Sequence, residues 1–162
     1  MKFTKSILAS AVLLATSSFA IAATDSTDIE INVTKDAYVN LIGTLAGNTS
    51  VVLAEADVNG ATTTLGTLGT EANTTGGCTV AVSSVNDFKL QHDTVAALYL
   101  HGASNYSVSW AGTTYTAGAP NAATLTSCNN ASSAFNMTSP AISGVVQAGT
   151  YSDTVTLTVT TQ

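Results

Sequence analysis

The chain contains no arginine, and only 9 % of its 162 residues are charged. Its basic side chains are Lys2, Lys5, Lys35 and Lys89. A chain this poor in positive charge lacks the electrostatic footprint needed to hold nucleic acid or an anionic membrane surface, so no nucleic-acid partner is expected. There is no Cys-x-x-Cys pair, no His-Glu-x-x-His, no Gly-x-Ser-x-Gly elbow, no EF-hand loop and no phosphate-binding glycine loop. The common signatures of redox, metal, hydrolase and nucleotide chemistry are therefore missing, and neither cofactor nor enzymatic activity is expected. Aromatic residues make up only 6 %, too few for the two aromatic girdles of an outer-membrane barrel.

What is present begins with an export signal over residues 1–22. Lys2 and Lys5 supply a positive start, Ile7 to Ala15 an apolar run, and Ala20-Ile21-Ala22 a small-residue cleavage site. The apolar run is shorter than the ~20 residues a membrane-crossing helix needs. The exported remainder carries Lys35 and Lys89 against ten acidic residues, a formal charge of −8. It is the length of one domain with a single core.

That remainder reads as all-β. Alternating apolar and Thr or Ser positions recur in short runs, while a 3.6-residue helical period is nearly absent. Strands are expected over Tyr38 to Leu45, Ser50 to Asp57 and Ala61 to Leu68. Asn59-Gly60 predicts a type I′ hairpin turn between the last two. CTVAV, DFKLQH, VAALYLH, YSVSW and TTYTA follow as further strands. Tyr106, Val108 and Trp110 share one face of YSVSW and belong in the core, with Phe88, Leu90, Phe135 and Met137. Regular short strands of this kind predict a sandwich.

Both ends of the exported chain alternate. Residues 23–34 place Thr27, Ile29, Ile31 and Val33 on one face, and the C-terminal TYSDTVTLTVTTQ places Tyr151, Asp153, Val155, Leu157 and Val159 on one face. Cys78 and Cys128 are the only two cysteines. In an oxidising compartment one disulfide is the default, stabilising the fold by about 4 kcal/mol in the chain-entropy model. Asp87, His92 and Asp93 lie close together, but no motif surrounds them and a polar strand end accounts for them. His101 reads the same way.

NVTKDAYVNLIG, YSVSWAGTTYTA and AGTYSDTVTLTV occur in the order of similar stretches in bacterial fimbrial pilins. The chain resembles the major pilins of chaperone-usher fimbriae. It is most similar to the alpha class, the colonisation-factor type, with the archaic, spore-coat-protein-U-like pilins second. The three stretches cover about a third of the chain. One departure is that type-1 pilins with a disulfide bridge their first two strands, whereas Cys78 and Cys128 lie mid-chain, and alpha-class pilins often have none.

The resemblance implies an incomplete immunoglobulin-like sandwich over residues 35–162, lacking its last strand and completed by a neighbour. Residues 23–34 would be the donor extension, with Thr27, Ile29, Ile31 and Val33 entering the next subunit. The acceptor groove would be bordered by Tyr151, Asp153, Val155, Leu157 and Val159. The implied partners are identical subunits in a head-to-tail filament, a periplasmic chaperone, an outer-membrane usher and a tip adhesin. The implied location is an extracellular, cell-surface fimbria reached through the periplasm, serving adhesion or biofilm formation. The alternative is a secreted carbohydrate-binding or adhesin module in which the N-terminal segment is an ordinary edge strand.

Overall fold

A computed structural model describes residues 30–47 and 49–162. Thr27 and Ile29 therefore lie outside the described residues. Lys35–Gln162 forms one compact unit, distinct from the residues that precede it.

The fold is all-β, with antiparallel strands and no α-helix among the described residues. The strands are β1 (Val39–Ile42), β2 (Thr62–Ala72), β3 (Cys78–Ser84), β4 (Gln91–His92), β5 (Ser107–Trp110), β6 (Thr113–Thr116), β7 (Ala122–Leu125), β8 (Asn130–Thr138), β9 (Tyr151–Ser152) and β10 (Val155–Thr161). One sheet runs β1-β2-β8-β5-β6, a second β10-β3-β7, and β4 pairs with β9. β1 and β10 are thus edge strands, each bonded on one side only.

The two larger sheets share one core. Leu68, Val108, Trp110, Tyr115, Phe135 and Met137 come from the five-stranded sheet, and Val80 and Val82 from the three-stranded one. Alternation does the sorting, because successive side chains on a strand face opposite ways. Along β10, Val155, Leu157 and Val159 pack against this core while Thr156, Thr158 and Thr160 face solvent. Trp110 pairs its indole N–H with Leu68 O at 2.8 Å, which satisfies its buried donor.

Several expected elements differ. Ser50 to Asp57 is not a strand, because Asp57 accepts the Ala54 amide at 2.9 Å and closes a 3₁₀ turn over Glu55–Val58. Asn59-Gly60 is not a type I′ hairpin turn, since that turn needs positive φ at both positions, and only Gly60 has it (φ 66°, against −104° for Asn59). The two-residue hairpin with both angles positive lies at Ala111 (φ 49°) and Gly112 (φ 77°), joining β5 to β6 through the pair Trp110 and Thr113. DFKLQH is extended only at Gln91–His92, because Asp87 (φ 54°) and Phe88 (φ 57°) are left-handed and break the strand. VAALYLH is a turn whose one sheet contact is the bridge from Tyr99 to Gln91.

The single disulfide joins Cys78 to Cys128, with Cα atoms 5.3 Å apart. Cys78 opens β3 and Cys128 sits in the crossover from β7 to β8, so the bond ties the two large sheets at one end. Both cysteines are fully buried.

Candidate functional site

A groove of about 1490 Å³ opens on the compact unit. Leu41, Leu45 and Leu53 line one wall, and Tyr151, Asp153, Val155 and Leu157 the other. Its floor includes Leu68, Tyr106, Val108, Phe135 and Met137. These floor residues belong to the sandwich core, so the groove leads down to the core between the two sheets. A second, shallower depression of about 570 Å³ continues between β1 and β10, where Val39 and Leu41 face Leu157 and Val159.

Four of the five C-terminal residues singled out from the sequence line the main groove, and Val159 lines its shallower continuation. They do different things there. Val155 and Leu157 present apolar side chains beside an unpaired strand edge. Tyr151 stands edge-on to His92, ring centroids 5.0 Å apart, and its hydroxyl donates to Gln147 O at 2.7 Å.

Asp153 is a hub of hydrogen bonds. Its Oδ2 accepts from the hydroxyls of Ser84 (2.5 Å) and Tyr106 (2.6 Å), and its Oδ1 from the amides of Asn86 (3.0 Å) and Thr154 (2.7 Å). Ser84 Oγ in turn accepts the Phe88 amide at 2.6 Å, which satisfies the backbone where it turns left-handed. A carboxylate can accept this many bonds, and charge-assisted ones are the strong kind. Burial pushes the Tyr106 phenol far above its ordinary range, and the bond to Asp153 and its charge push it further, against a smaller opposing effect of Ser84. Tyr106 is thus a permanent donor, not an acid.

The polar candidates from the sequence serve structure. His92 is buried. Its Nε2 lies 3.3 Å from Ala148 O, and the Thr94 amide lies 3.2 Å from its Nδ1. Asp93 stands 3.1 Å from the same Nδ1. His101 is buried with Nε2 2.7 Å from Val58 O. Asp87 contributes its backbone oxygen to Asn105, not its carboxylate to His92. Among the described residues no three of His, Cys, Asp and Glu are grouped to hold a metal ion.

Ile31 and Val33 are 81 % and 86 % exposed and lie outside any strand. Beta-branched side chains left this bare have apolar area to bury elsewhere. Sequence reasoning missed the opposite wall of the groove, Leu41, Leu45 and Leu53. The alternation of Val39 and Leu41 in YVNLIG marks β1 as half-apolar, but its position on a sheet edge depends on pairing with β2 alone.

No protein-family model matches the chain, and no curated protein matches it.

Proposed function

We propose that the chain is a major structural subunit of a chaperone-usher fimbria, polymerising by donor-strand exchange into an extracellular filament for adhesion or biofilm formation. The observation that carries this reading is the groove beside β10, whose floor is lined by residues of the hydrophobic core and which continues between the free edges of β1 and β10. A β-strand from another chain supplies what such a site lacks: main-chain partners for the edges and alternate apolar side chains for the floor.

The donor in this reading is the segment containing Thr27, Ile29, Ile31 and Val33 of the preceding copy, and the acceptor face is Tyr151, Val155, Leu157 and Val159. Asp153 belongs to the same acceptor groove and anchors it through its hydrogen bonds to Ser84, Asn86, Tyr106 and Thr154. Each buried aliphatic side chain contributes about 1.5–3 kcal/mol before the cost of ordering. Because donor and acceptor are different surfaces of one chain, the contact is heterologous and propagates as a filament. An open edge beside an open core is an aggregation hazard, so a periplasmic chaperone holds the subunit until an outer-membrane usher delivers the next one. A tip adhesin would begin the fibre. Completed in this way, the fold is an immunoglobulin-like sandwich.

The test is electron microscopy and unheated, non-reducing SDS gels of cells producing the chain with its assembly proteins, beside a variant lacking residues 24–34. Filaments and an SDS-resistant ladder are expected, both lost on deletion. A soluble monomer in both cases would favour the secreted carbohydrate-binding or adhesin module.

A further inference from the structure

A donor segment attached directly to β1 has two acceptors within reach. One is the groove of another copy and the other is the groove beside β1 of its own chain. The second is the closer in effective concentration, since an intramolecular strand needs no encounter. To use it, the chain must reverse within the few residues before Val39 and run back along the free edge of β1, as in a hairpin.

Those few residues are tied to the end of β2. The Tyr38 amide donates to Asn73 Oδ1 at 2.7 Å, and Asn73 Nδ2 donates to Asp36 O at 2.7 Å. The Asn73 amide also reaches Tyr38 O at 3.4 Å, extending the β1–β2 ladder past the pair of Val39 and Ala72. One side chain thus grips the backbone on both sides of Ala37, at the point where a hairpin loop would form. Lys35 adds a cation–π contact over the Tyr38 ring, 5.6 Å from its centroid.

We infer that Asn73 is a positioning residue that bars the chain from filling its own groove and so directs its N-terminal strand to a second copy. The inference rests on the proposed function and adds what decides between self-closure and polymerisation. The clamp consists of two hydrogen bonds made by the Asn73 side chain, beside one backbone bond, and a turn that moves Asp36 must break the bond to its carbonyl.

The experiment uses the full chain, produced with its assembly proteins, as wild type and as Asn73→Ala. Size-exclusion chromatography and unheated SDS gels give the ratio of compact monomer to ladder. The variant is expected to raise that ratio about tenfold or more, the change that follows from losing two hydrogen bonds' worth of free energy. The monomer should resist unheated SDS, form independently of concentration, and vanish when residues 24–34 are also removed.

A rescue separates positioning from simple loss of stability. Neither the Asp36 nor the Ala37 amide donates a hydrogen bond among the described residues. Asp36→Pro with Ala37→Pro therefore removes no such bond, while fixing extended backbone and excluding the positive φ that hairpin turns need. Adding these two changes to Asn73→Ala should return the ladder. A ladder unchanged in Asn73→Ala, or an SDS-sensitive monomer that the prolines do not rescue, overturns the inference while leaving strand exchange standing. If wild type forms no ladder and deletion of residues 24–34 changes nothing, the proposed function fails, and the inference falls with it.

Discussion

Tyr106 donates its phenolic hydrogen to Asp153 at 2.6 Å, joining the floor of the groove to the turn that launches β10. The two residues are 47 apart in the chain. Through Asp153 the same contact reaches Ser84 and Asn86 at the end of β3, so one carboxylate fixes the register of the groove's last strand. Asp153→Ala leaves two hydroxyls and two amides without their acceptor, and should cost about 3 kcal/mol or more. Tyr106→Phe removes one bond to a charged group and should cost about 1.5 kcal/mol. Chemical denaturation of residues 23–162, followed by tryptophan fluorescence, measures both.

Alkaline pH should weaken the fold through the same residue. The Tyr106 phenol holds its proton beyond its ordinary value near 10, chiefly by burial and then by Asp153. The unfolded chain releases that proton first, so the stabilisation is fully present below about pH 10 and is lost as pH rises above it. The slope from one such phenol approaches about 1.4 kcal/mol per pH unit. Tyr115, also raised by burial, acts in the same direction. Melting temperatures from pH 8 to 11 should fall more steeply for wild type than for Tyr106→Phe, and parallel curves would contradict this account.

Cleaving the disulfide should be felt throughout the fold. Its 50-residue loop separation corresponds to about 4 kcal/mol in the chain-entropy model. Cys78→Ser, Cys128→Ser and dithiothreitol should lower the denaturation midpoint alike, and reductant should have no effect on either variant.

Gly149 lines the groove where a side chain would run into the buried ring of His92. Its backbone is not left-handed, so the constraint is space alone. Gly149→Val should displace the ring or the segment carrying Ala148, breaking the contact of His92 Nε2 with Ala148 O. Overpacking of this kind costs about 1–3 kcal/mol. His92 imidazole NMR shifts should move with the loss of stability.

Ile31→Asp and Val33→Asp should abolish the SDS-resistant ladder and leave the melting temperature of the isolated chain within about 1 °C, since exposed substitutions rarely alter stability and both side chains are more than four-fifths exposed. Leu157→Asp, on the acceptor side, should abolish the ladder and also lower the melting temperature, because Leu157 packs against the core.

Much of the architecture follows from the sequence because its signal is local. Alternation along YSVSW puts Tyr106, Val108 and Trp110 on one face, and all three are buried, as are Phe88, Phe135 and Met137. Leu90 is only partly so, beside the groove. Two cysteines leave one intramolecular pairing, and that bond is present. The period of two in TVTLTVT likewise determined which side chains of β10 turn inward.

The tertiary structure decided what depends on distant partners. Whether VVLAEAD extends or curls was settled by Asp57 reaching back to the Ala54 amide, and the strand at DFKLQH was cut short by left-handed backbone that Ser84 supports. A polar side chain carries no periodicity, so nothing in the sequence marked Asp153 as an anchor or Asn73 as a clamp on Asp36, 37 residues away. The groove is the same kind of property. Apolar alternation says which face of a strand is buried, but only the order of strands in two sheets leaves β1 and β10 each with one free edge beside the groove.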